Sequence, residues 1–77
     1  IGENVEIFKS PLPETLHNLS LVQGGIGAKT GLLVIGVEIA GQTSVVPGAN
    51  EPLGPETNLL LLGTRAQREQ FRDQFRS

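Results

Sequence analysis

The stretch Ile26-Gly27-Ala28-Lys29-Thr30-Gly31-Leu32-Leu33-Val34-Ile35-Gly36 decides how this chain is read. Its Lys29-Thr30 pair invites a phosphate-loop reading, and that reading fails. A phosphate loop needs Gly, four residues, then Gly-Lys-Ser/Thr, so that backbone N–H groups wrap the phosphates. With Lys29-Thr30 in the last two places, the glycine places hold Gln23 and Ala28. The order of elements is wrong as well. A phosphate loop runs strand, loop, helix. Here a glycine-rich loop feeds an apolar run, Leu32 to Ile39, that reads as a strand. The dinucleotide fingerprint fails too, because Thr30 stands where a third glycine is required after Gly25 and Gly27.

That apolar run is interrupted only by Glu38, so a central strand covered on both faces is expected. Ala40-Gly41-Gln42 supplies a hairpin turn. The β-branched Thr43-Ser44-Val45-Val46 should pair back on the strand before it. Pro47 to Pro55 is rich in proline and glycine and reads as a loop. Asn58 to Gly63, with four successive leucines, reads as another buried strand. Upstream, Val5-Glu6-Ile7-Phe8 reads as a strand that Pro11 and Pro13 end. Leu16-His17-Asn18-Leu19 is a turn, with Asn18 suited to a left-handed backbone. Ser20 caps a short helix over Leu21, Val22 and Gln23, which Gly24 and Gly25 stop. Thr64 and Gln67 form a capping-box pattern opening the last helix. On it Ala66, Phe71 and Phe75 fall near one face, and Arg65 and Glu69 stand four apart. The predicted order is strand, helix, strand, strand, strand, helix. This is an α+β domain with about four mainly antiparallel strands and helices packed on the sheet. Leu16, Leu21, Ile26, Ile35, Val37, Leu60, Leu62 and Phe71 are the expected core.

Composition narrows the function. At 77 residues the chain makes one small domain. A domain this size buries only roughly 60% of its unfolded surface and is often stabilised by a partner. There is no Cys, so disulfides, thiolate metal sites and Cys nucleophiles are excluded. The net charge of −2 gives no nucleic-acid signal. The longest apolar run is far short of the roughly 18 residues of a membrane span. The sequence opens on Ile1 rather than Met, which reads as a fragment of a longer protein. His17 stands alone and reads as a turn residue rather than a ligand. Ser10, Ser20 and Ser44 lack a nucleophile-elbow context. Glu51 and Glu56 flank a proline loop but fall short of the six or more oxygens of a calcium site. No enzyme is expected, and no metal. Arg65, Arg68, Arg72 and Arg76 gather in the last segment. They read either as a solvated helix face or as a docking surface for an acidic neighbouring domain. Lys29 reads either as an anion contact or as a solvated cation.

Taken in order, Val5-Glu6-Ile7-Phe8, Pro11-Leu12-Pro13, Leu16, Leu21, Ile26, Lys29-Thr30-Gly31, Val34-Ile35-Gly36-Val37, Leu59-Leu60-Leu61-Leu62-Gly63-Thr64 and Gln67 resemble the TrkA C-terminal domain, or RCK_C. This is the C-lobe of regulators of potassium conductance. The resemblance covers nearly the whole chain and rests on order and spacing together, since no single motif is specific. It implies a cytoplasmic regulatory and dimerisation module joined, through neighbouring nucleotide-binding and pore domains, to a potassium channel or transporter at the membrane. It also implies a homodimer with a small effector, such as a nucleotide, between the subunits. Ile26, Ala28, Val34 and Pro47 would line the apolar part of that site, and Lys29 is the nearby cation for a phosphate. One branch of the family binds cyclic di-AMP there. Its members tend to carry Arg at the position of Gly27 and Asn at that of Leu33. Both polar contacts are absent here, which counts against cyclic di-AMP. A purely structural dimerisation module without a ligand is the alternative reading.

Overall fold

The computed structural model describes residues 4–45 and 48–76. Strand β1 is Glu6–Pro11, and a single 3-10 turn covers Glu14–Leu16. Helices α1, Leu21–Gly24, and α2, Ile26–Thr30, follow. Then come β2, Leu33–Ile39, β3, Gln42–Val45, β4, Thr57–Gly63, and α3, Arg65–Gln74. The four strands form one antiparallel sheet in the order β1-β4-β2-β3. The last strand therefore lies between the first two, an arrangement set by distant contacts rather than by neighbouring hairpins.

Local chemistry explains most element ends. Ser20 Oγ accepts from the Gln23 N–H at 3.2 Å, and Gln23 Oε1 accepts from the Ser20 N–H at 2.9 Å, completing a capping box. Gly25, at φ 63, then closes α1 in the left-handed region that glycine enters without a Cβ penalty. It does not lead into a loop, as the sequence reading has it. A second short helix begins at once, and the Lys29 and Gly31 N–H groups donate to the Gly25 and Gly27 carbonyls. The expected loop is helical because Thr30 supplies its own stop. Its hydroxyl donates to the Ile26 carbonyl at 2.6 Å and accepts from the Leu32 N–H at 3.1 Å. The threonine that suggested a phosphate site is thus buried and stitches α2 to the start of β2. At the hairpin, Ala40 and Gly41 both have positive φ, 53 and 78, matching a two-residue type I′ turn between the paired Ile39 and Gln42. Asn18 is left-handed at φ 68, as its side chain allows. Pro11 ends β1 from within rather than from outside. It is tolerated because β1 lies at the edge of the sheet and, among the described residues, pairs with β4 alone. Val46 and Pro47, the expected end of β3 and start of the loop, lie outside the described residues.

The register sorts side chains onto two unlike faces. On the core face, Phe8, Leu61 and Val34 form one row and Ser10, Leu59 and Val37 the next. Leu59 and Leu61 are 0% exposed. They pack with Leu12, Leu16, Ile26, Leu32, Leu53 and the rings of Phe71 and Phe75. Burying each such side chain is worth about 1.5–3 kcal/mol. The two rings of α3 stand 5.4 Å apart and tilted, a favourable edge contact. The β3–β4 loop joins the same core. Leu53 accepts from the Asn18 N–H at 2.7 Å and donates to the Leu19 carbonyl at 3.0 Å, pinning the loop to the link before α1.

Three core expectations are corrected. Leu60 and Leu62 point to the opposite face from Leu59 and Leu61. A β-bulge between Val34 and Gly36 leaves Ile35 as the extra residue, so it too is only partly buried. The strand β2 is not covered on both faces, because Leu33 remains 58% exposed. Ala66 is also exposed, leaving Phe71 and Phe75 to seat α3.

The outer face runs from apolar to polar. Ile7, Leu62 and Leu33 make its apolar row. Two rows away, Glu38 accepts from Lys9 Nζ at 3.1 Å and from Asn58 Nδ2 at 3.1 Å. The Lys9 hydrogen bond first, and that of Asn58 second, hold the Glu38 carboxyl below the usual carboxylate range. A carboxylate lowered in the folded state contributes stability above its unfolded value and loses it as pH falls through the folded value. Urea melts across the acidic range should therefore show an increment of stability disappearing below the ordinary carboxylate range, and Glu38→Gln should flatten that part of the curve. An ordinary pKa for Glu38 in an NMR titration would contradict this.

Candidate functional site

The segment from Ile26 to Val34 divides by helical geometry. Ile26 and Thr30, one turn apart, turn inward at 3% and 7% exposure. Gly27, Ala28 and Lys29 face outward on α2. Val34 is half-buried against the core, while its neighbour Leu33 is exposed. Ile26 and Val34 thus support the segment from beneath, and Ala28 and Lys29 stand on its surface. Pro47, the fifth residue of the expected site, lies outside the described residues. Lys29 Nζ is 5.5 Å from the centroid of the Phe75 ring, a cation–π contact across the α2–α3 junction. Exposed Val22, at 63%, and Leu33 add apolar surface to the same region of the chain. The positions matching the polar residues of the cyclic di-AMP branch, Gly27 and Leu33, are both at the surface. Neither side chain can hydrogen-bond a ligand there.

Two concavities among the described residues lie elsewhere. One, of about 410 Å³, runs between β1 and α3, over Phe8, Ser10 and Pro11 on one side and Arg68, Arg72 and Phe75 on the other. The other, of similar size, is bounded by Asn4, Glu6, Arg65, Ala66 and Glu69. Neither is lined by Ile26, Ala28, Lys29 or Val34. A ligand meeting those residues would be enclosed only with a second surface opposite them. The sequence reading singled out the arginines of α3 but not their partner strand. Phe8 and Arg68 are far apart in the chain, yet the Arg68 guanidinium lies 4.7 Å from the Phe8 ring centroid. Among the described residues, no group of three or more His, Cys, Asp or Glu is placed to hold a metal ion. No described helix is long and apolar enough to cross a membrane.

No family model matches the sequence, and no curated protein matches it significantly. Solved structures do match. The RCK domain of GsuK superposes with a TM-score of 0.85 at 24% identity, over 96% of this chain and 16% of that one. The RCK C domain of the potassium transport protein KtrA, in complex with cyclic diadenosine monophosphate, superposes with a TM-score of 0.84 at 18% identity. That match spans 92% of this chain and 84% of that one. The chain has the RCK_C fold. The RCK_C domain dimer of S. agalactiae BusR, in complex with c-di-AMP, matches with a TM-score of 0.73 at 17% identity, over 90% of this chain and 93% of that one. BusR is also seen in complex with its busAB-promotor DNA. Against the whole GsuK channel, this RCK_C-fold chain spans 13% of the length. At these identities the likeness establishes the fold.

Proposed function

We propose that the chain is a regulatory domain that dimerises, senses a small ligand and passes that binding to a potassium channel or transporter. It would act on the cytoplasmic side, held near the membrane by the rest of its parent protein. The supporting observation is the agreement over 84% of the KtrA RCK C domain, which was solved with a cyclic dinucleotide. The BusR RCK_C domain was solved as a dimer. The site would be built from Ile26, Ala28, Lys29 and Val34 of both subunits, with Pro47. Lys29 would leave its place beside Phe75 to meet a phosphate, and Ala28 and Leu33 would present apolar contact. An effector that binds one dimer arrangement more tightly shifts the equilibrium by its differential affinity, which is how a distant pore would be informed.

A second reading, a structural dimerisation module with no ligand of its own, is favoured by Gly27 and Leu33, which offer no polar side chains at the surface. Melting temperature against cyclic di-AMP, ATP, ADP, NAD⁺ and NADH separates the two. A ligand at about 100 times its Kd adds about 2.7 kcal/mol, several degrees for a domain this small. A shift that Lys29→Ala diminishes supports sensing through this site. No shift with any compound, from a chain that light scattering finds dimeric, favours the scaffold. A monomer throughout the micromolar range overturns both.

A further inference from the structure

The groove between β1 and α3 has a composition unlike the rest of the molecule. Its floor is aromatic and prolyl, from Phe8, Phe71, Phe75 and Pro11. Its rim is cationic, from Arg68, Arg72 and Arg76, and no carboxylate lines it. Yet the chain as a whole carries a net charge of −2. We propose that this groove is a docking site for an extended acidic peptide segment of a partner polypeptide.

Spacing supports an extended occupant. Arg68 and Arg72 lie one turn apart on α3, which is about 6 Å along the axis. Alternate residues of an extended chain repeat every roughly 6.6–6.8 Å and share a face. Carboxylates at every second position would therefore meet the two guanidiniums in turn, each able to accept a bidentate pair. The intervening side chains would turn away from the rim. Arg76 continues the line two residues past the helix. Its ion pair with Asp73, at 3.7 Å with both side chains more than two-thirds exposed, is too weak to withhold it.

The strand side is equally suited. Among the described residues β1 pairs only with β4, which leaves its outer edge open up to Pro11. Open edges present unpaired backbone groups, and extended segments are recognised by adding to them. Nucleic acid fits less well. Single strands are held by exposed aromatic faces on which bases stack. Here Phe71 and Phe75 are 5% and 6% exposed, and Phe8 is covered by Arg68.

The test is an NMR titration of the ¹⁵N-labelled chain with a heptapeptide alternating Glu and Thr. A peptide of the same composition with its Glu in one block is the comparison. Amide shifts should concentrate on Phe8 to Ser10 and Arg68 to Phe75. The alternating peptide should bind more tightly than the blocked one, and about 500 mM salt should weaken it strongly. Arg72→Glu should reduce affinity by about tenfold or more while leaving the melting temperature unchanged, since Arg72 is exposed. Arg68 is a poorer test alone, because its contact with Phe8 also serves the fold. Shifts outside the groove, equal affinity for the two peptides, or unchanged binding by Arg72→Glu would each overturn the proposal. So would tighter binding of an oligothymidine of equal charge, or a concentration-dependent dimer occupying the groove.

Discussion

Leu59→Ala and Leu61→Ala should each destabilise the chain by about 3 kcal/mol, whereas Leu60→Ala and Leu62→Ala should cost about 1 kcal/mol each. The contrast follows from register. Leu59 and Leu61 are fully buried between Val37 and Val34 on one side and Ser10 and Phe8 on the other. Truncation there loses transfer energy and leaves a cavity that β4, held by a neighbouring strand on each side, cannot close. Leu60 and Leu62 face outward and are only half-buried. A domain of this length is stable by only about 4–12 kcal/mol, so the inner pair should lower the melting temperature by roughly 12–24 °C. Urea melts of all four variants, compared at unchanged m-value, are the check. Equal losses at all four positions would mean that the outer face is covered in solution.

The same run of leucines explains what the sequence could and could not reveal. Four identical residues carry no alternation, so the strand is legible but its inward face is not. Ile35 turns outward for a related reason: a bulge shifts the alternation by one residue, and the one sign of it is Gly36, a glycine inside an apolar strand run. The caps at Ser20 and Thr64 were legible because each involves only residues three apart. The position of β4 between β1 and β2 was not, since it depends on pairings across most of the chain. α2 was missed because Gly25 and Gly31 look like loop residues, while the hydroxyl of Thr30 makes the decisive helix-ending bonds. Of the candidate site, Ala28 and Lys29 were singled out through the family resemblance, and the fold leaves both on the surface of α2; the groove was not legible. It exists only where a strand near position 8 meets a helix near position 68.

Gly63→Ala should cost about 2–4 kcal/mol, much more than a single added methyl suggests. Gly63 closes β4 opposite Glu6 and is buried where β4 turns into α3. A Cβ there would collide with the Leu32 side chain and stand 2.6 Å from Gln67 Oε1. Neither neighbour is free to yield. Leu32 is 3% exposed within the core. Gln67 Oε1 accepts from the Thr64 N–H at 2.9 Å, while Thr64 Oγ1 accepts from the Gln67 N–H at 3.2 Å. Moving the carboxamide breaks half of the capping box, worth about 1 kcal/mol, and the rest of the loss is overpacking against Leu32. A double-mutant cycle with Gln67→Ala divides the two. If the carboxamide is in the way, Gly63→Ala should cost about 1 kcal/mol less in the Gln67→Ala background. Additivity within about 0.5 kcal/mol would assign the whole effect to Leu32. The first turn of α3 also sets where Arg68 stands over Phe8. A loosened cap should therefore weaken acidic-peptide binding at the groove before the chain unfolds, and Thr64→Ala, which removes the cap without the collision, should weaken it in the same way.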